Sequence, residues 1–110
     1  MRTKHPQHYT QKKLALDRSL LNTLKSLGVV STIADLNRQM GRNETYYACM
    51  KNRGYSLHIG SLVFLAAKFS NELHACNCVR TRAKLRSAIV AINETIQAKC
   101  EIRELELLGQ

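Results

Sequence analysis

The sequence predicts an all-helical fold, and three observations predict it. Pro6 is the only proline, so nothing after it forbids a helix. Strand signals are weak: Val29-Val30 is the one adjacent valine pair, and no hairpin dipeptide follows it. Gly28, Gly41 and Gly54 recur at thirteen-residue intervals, which reads as successive helix-and-turn units rather than a true repeat. A chain of 110 residues, 45% of them hydrophobic, can build one core and not two.

The first helix is expected from about Thr10 to Leu27. Leu14, Leu20, Leu21, Leu24 and Leu27 fall near helical spacing, and Gly28 supplies the stop. The second starts at Ser31 or Thr32, where Thr32 and Asp35 form a capping-box variant. Its apolar stripe is Ile33, Leu36 and Met40, and Gly41 ends it. Asn43 is expected to cap a third helix running to about Asn52, with Glu44 against the positive end of the dipole and Tyr47 and Met50 inward. A fourth follows Ser56 or His58 and is expected to bury Ile59, Leu62, Val63, Leu65, Ala66 and Phe69. From about Asn71 to Leu108 the chain is again amphipathic, with Leu85, Ile89, Ile92 and Ile96 on one stripe. A small domain rarely needs so much additional apolar stripe. Leu85, Ile89, Ile92, Ile96, Ile102 and Leu105 are therefore expected to meet a second copy.

Charge narrows the partners. Seventeen Lys and Arg against eight Asp and Glu give +9 at pH 7, an excess that points to a polyanion. The positives cluster in residues 1–13, in 37–54 (Arg38, Arg42, Lys51 and Arg53 against Glu44) and in 76–100 (Arg80, Arg82, Lys84, Arg86 and Lys99 against Glu94). With no Trp and 5% aromatic residues, a stacking platform for single strands is not expected. The longest apolar run, Leu62 to Ala67, is far short of a membrane span, and the N-terminus lacks the apolar centre of a secretory signal. A cytoplasmic, nucleoid-associated protein of a bacterial cell is expected, without membrane partners.

His74, Cys76 and Cys78 form an H-x-C-x-C string, with Cys100 as a conceivable fourth zinc ligand. On a helix that spacing points the two thiols about 200° apart, a poor geometry for sharing an ion. Ordinary reduced thiols are the expectation, with no metal, no cofactor and no small-molecule substrate. Few carboxylates, no histidine beside a nucleophile motif and no phosphate-cradling glycine loop argue against an enzyme.

Two short helices joined by a glycine turn, the second polar on its outer face, make a helix-turn-helix unit. The second helix of such a unit enters the major groove. Thr32–Met40, Gly41 and Asn43–Asn52 meet these requirements. Residues 31–70 resemble the lambda-repressor-like (XRE or Cro type) helix-turn-helix family, with Leu36, Met40-Gly41, Tyr47, Met50, Ile59, Leu62, Leu65-Ala66 and Phe69 on its apolar and turn positions. The chain departs from that pattern at Ile33, where the family often has Gln, and at Lys51, where it often has Glu; Gly54 sits one residue late. The resemblance implies a five- to six-helix domain over 14–72, preceded by a basic arm (1–13) and followed by a helical extension (73–110) that dimerises.

It also implies that Glu44, Thr45 and Cys49 face the bases. Glu44 would accept from a cytosine amine, or would simply compensate the helix dipole. Arg38, Arg42, Asn43, Tyr46, Lys51, Asn52 and Arg53 suit phosphate contacts, and Arg2 and Lys4 in the arm would reach around the duplex. The function expected is a homodimeric transcriptional regulator of phage or plasmid type that binds double-stranded DNA. The alternative is a phage- or plasmid-encoded inhibitor or adaptor that uses the same fold to bind a protein.

Overall fold

The computed structural model describes residues 6–109, and among them the chain is all-helical, with no strand. The elements are α1 (Pro6–Leu27), α2 (Ile33–Gln39), α3 (Tyr46–Asn52), α4 (Ile59–Ala75) and α5 (Val79–Leu108). The first helix begins earlier than Thr10. Pro6 opens it, where a missing N–H costs nothing, and Tyr9 is buried one turn later. The segment expected as a flexible arm is therefore helical from Pro6 onward, while Arg2 and Lys4 lie outside the described residues.

The thirteen-residue glycine spacing marks three copies of one stop signal. The N–H of Gly41 donates to the Arg38 carbonyl, and that of Arg42 to the Asn37 carbonyl. The same pair of bonds recurs at Gly28-Val29 and at Gly54-Tyr55. This pair of hydrogen bonds closes a helix only when the glycine position is left-handed, and Gly41 has φ +74°. A Cβ at Gly41 would also stand 3.2 Å from the Phe64 ring, which is exposed enough to shift. Gly41→Ala is therefore expected to lower stability by about 1–2 kcal/mol, the cost of a left-handed side chain. Gly60→Ala, whose Cβ would meet open space, serves as the control and is expected to be neutral or stabilising by up to about 1 kcal/mol. Urea denaturation followed by circular dichroism measures both.

At the start of α2 the Thr32 hydroxyl accepts from the Asp35 N–H at 3.0 Å. The Asp35 carboxylate reaches back to the Ser31 N–H at 2.9 Å rather than to Thr32. That backbone bond is the main reason the Asp35 carboxyl is held below the usual carboxylate range.

The last two helices form the frame. A short turn joins α4 to α5, and Arg82 closes it by donating to the carbonyls of Leu73 (2.6 Å) and Cys76 (3.0 Å). Helix α5 packs against both α4 and α1. Its buried positions Leu85, Ala88, Ile92, Thr95, Lys99 and Ile102 step by three and four, a continuous inward seam. The expected dimer stripe is thus corrected. Leu85, Ile92 and Ile102 are buried within the chain itself, and Ile89 and Ile96 pack on the same core; Leu105 alone is exposed. The core that holds Leu24, Leu36, Leu62 and Phe69 also holds Leu85 and Ile92, so it runs across the boundary expected at residue 73. The physical reason is that α1, α2 and α4 do not enclose their own apolar faces; α5 supplies the missing wall.

One polar cluster interrupts that core. Asp17 of α1 and Lys99 of α5 form an ion pair at 2.5 Å, each side chain no more than 3% exposed. Between them lies the residue two before α4: the Leu57 N–H donates to Asp17 Oδ2 at 2.9 Å, and Lys99 Nζ donates to the Leu57 carbonyl at 2.8 Å. Burial pushes the Asp17 carboxyl up and the Lys99 ammonium down, and each is opposed by the charge of the other. The cluster ties three segments together at the point where the chain leaves α3.

Candidate nucleic-acid interface

Helix α3 is two turns long and is anchored on one side only. Tyr47 is its buried residue, while Ala48, Cys49, Lys51 and Asn52 are exposed. A helix this short does not hold itself together, so its place depends on the turn before it. Asn37 of α2, fully buried, fixes that turn. Its amide nitrogen donates to the Glu44 carbonyl at 2.6 Å, and its amide oxygen accepts from the Tyr47 N–H at 3.2 Å. Asn37 was not among the expected functional residues. Its signal was an amide four residues after Ile33, on the inward side of α2 between Leu36 and Met40. Asn37 takes that inward place, and Ile33 is left 41% exposed.

Asn43 does not cap α3 as expected. Its side-chain oxygen accepts from the Thr45 N–H (3.1 Å) and from the Thr45 hydroxyl (2.9 Å), forming a local turn. The helix starts three residues after Asn43, with Thr45 in the cap position and no side-chain capping bond. Glu44 consequently lies ahead of the first turn, which contains no acid, so the dipole-compensating role expected for it is not realised. Its carboxylate instead meets Arg38 at 2.7 Å, and Arg38 also lies 3.7 Å from Asp35. The pair is exposed, and an exposed pair is worth at most about 1 kcal/mol, so an incoming anion or base can break it.

Arg42 and Tyr46 are held from behind. The Arg42 guanidinium lies 4.9 Å from the centre of the Tyr46 ring and donates to the Ser61 hydroxyl at 3.0 Å. The Tyr46 hydroxyl in turn accepts from the His58 N–H at 3.1 Å, at the start of α4. Stacking and bonding fix the guanidinium in one place, and it remains on an exposed residue. Lys51, Asn52 and Arg53 are exposed at the far end of α3, and Lys51 and Arg53 form no ion pair among the described residues. The structure therefore brings Arg42, Thr45, Tyr46, Cys49, Lys51, Asn52 and Arg53 onto or around one short helix. Arg38 and Glu44 stand beside it as a mutually neutralised pair.

The cysteines are free thiols. His74 closes α4 with its ring bonded to the Ser70 carbonyl, and Cys76 and Cys78 lie in or beside the turn that follows. Cys100 follows Cys78 by twenty-two positions, roughly 33 Å along α5, too far to share an ion with it. The Thr81 hydroxyl, by hydrogen bonding, lowers the Cys78 thiol below its ordinary value. On α4, Phe64, whose ring lies against the Gly41 turn, and Val63 are about half exposed, and Ile59 is 36% exposed. Ile59 and Val63 were expected inside. Leu62, Leu65 and Phe69 already fill the inward face of α4, so the residues one step around the helix point outward.

Comparison of the chain with protein-family models, with curated proteins and with solved structures returns no match.

Proposed function

We propose that this protein is a regulator that binds double-stranded DNA through α3, with α2, the Gly41 turn and α3 acting as a helix-turn-helix of the lambda-repressor-like kind. The observation that supports it most is the outward face of α3: a projecting helix, anchored by Tyr47 and Asn37, ringed by Arg42, Lys51 and Arg53. Phosphate neutralisation by these cations supplies affinity, and Thr45 and Cys49, with Ala48 between them, are the groups that meet base edges. The reading set is small and has no Arg or Gln, so modest sequence discrimination is expected. The homodimer is not carried forward through α5, whose apolar stripe is already occupied.

Fluorescence anisotropy on labelled duplex DNA across a salt series tests the proposal. The K51Q/R53Q variant is expected to flatten the slope of log affinity against log salt by about 2, near 0.9 for each phosphate no longer neutralised. Thr45→Ala is expected to leave that slope unchanged and to narrow the preference for selected over scrambled sequence. Absence of duplex binding at low salt overturns the proposal.

A protein-binding role is favoured by one different observation, the exposed Val63 and Phe64 on α4. Partner recovery from lysate that survives nuclease and is lost in Phe64→Ser would support it.

A further inference from the structure

The cations at the start of α5 are not part of the α3 surface, and only one of them is used by the fold. Arg82 holds the α4–α5 turn. The side chains of Arg80, Lys84 and Arg86 are exposed and make no hydrogen bond or ion pair among the described residues. No acid occurs between residues 73 and 93. The carboxylate before that stretch, Glu72, is already bonded to Lys68, and the one after it, Glu94, lies about two turns beyond Arg86. Arg80 and Lys84, four residues apart, share one edge of the helix, and Arg86 lies at the other edge. Between them the surface is Ala83, Ser87 and the 83%-exposed Val79, with nothing bulky to keep a flat anionic partner away.

The distance to α3 follows from the buried cluster. Lys99 donates to the Leu57 carbonyl, so the loop that leaves α3 lies level with Lys99. Lys99 comes nineteen positions after Arg80 and thirteen after Arg86, so these cations lie roughly 20–29 Å from it along the axis of α5. One turn of duplex is about 34–36 Å, so two basic surfaces with this axial spacing fall within the length of a single turn.

We propose that Arg80, Lys84 and Arg86 form a second contact for the phosphate backbone of the same duplex, within one turn of the segment met by α3. This rests on the DNA-binding reading above and extends it. The unopposed cations repel one another in the free protein, and a phosphate backbone both relieves that repulsion and releases its own counterions.

The test uses the full chain, the R80Q/K84Q/R86Q variant, and two duplexes of about 8 and about 24 base pairs, roughly 27 and 82 Å long at 3.4 Å per pair. All three side chains are solvent-facing, and unchanged far-ultraviolet circular dichroism verifies the fold. On the longer duplex the variant is expected to flatten the salt slope by about 2–3; on the shorter one, too short to cover both surfaces in full, the flattening should be clearly smaller. The K51Q/R53Q variant should flatten the slope on both. An unchanged slope on the longer duplex overturns the proposal, as does an equal loss on both lengths, which would be a general effect of net charge. Complexes holding two duplexes would overturn it in favour of bridging. In each of those outcomes a K51Q/R53Q effect leaves the α3 reading standing, whereas an unaltered protein that binds neither duplex ends both.

Discussion

Asp17→Leu is expected to destabilise the fold by about 3–5 kcal/mol, because it leaves the Lys99 ammonium buried without its counter-charge. Lys99→Met should cost a similar amount by stranding the Asp17 carboxylate. For a domain of this size total stability is about 5–15 kcal/mol, so either single variant approaches the unfolding threshold. The double variant D17L/K99M decides the origin of the loss. Removing both charges together should cost clearly less than the sum of the two singles, since neither ion is then left alone. It should not return fully to the original stability. The N–H and carbonyl of Leu57 lose their partners, at about 1–3 kcal/mol for each buried group left unpaired. Urea titrations of the four proteins give the coupling energy directly. Strict additivity would mean that the charges do not act as a pair.

Asn37→Ala is the second large effect, expected at about 2–4 kcal/mol from the two backbone groups it orphans, Glu44 C=O and Tyr47 N–H. The more telling readout is local. Amide exchange at Tyr47 should lose its protection well beyond what the global loss explains, because the side chain that pins α3 has gone. Asn37→Asp is not expected to rescue. Its carboxylate can still accept from Tyr47 N–H, but it places a second acceptor against the Glu44 carbonyl in a fully buried position. A stability change below about 1 kcal/mol for Asn37→Ala would show that the turn holds α3 without it.

How much of this was legible in the sequence depended on whether the cause was local. The helix stops at Gly28, Gly41 and Gly54, the Thr32 cap and the start of α4 after His58 are decided within a few residues, and the sequence displays them. Asn43 was misplaced because a short polar side chain has two local outlets. It made a turn with Thr45 rather than a cap, and periodicity does not distinguish the two. The amphipathic stripe of α5 was visible, but its partner was not. A stripe states that something covers it, and whether the cover is α1 and α4 or another copy is a question of packing. Asp17 has no partner near it in sequence, and Lys99 counts as one more cation of the 76–100 cluster; no local rule pairs residues so far apart. At the candidate site the outer residues of α3 were legible as a polar face, whereas Asn37 and Ser61, which hold that face from behind, were not.

The arrangement that closes the core has a consequence for how the chain is made. Asp17 leaves the ribosome ahead of its counter-ion Lys99, which follows eighty-two residues later. At about 5–20 residues per second that is a wait of roughly 4–16 s. Until α5 follows, Leu20 and Leu24, and then Leu62, lack the wall that it provides, so the growing polypeptide offers a greasy, unfinished face.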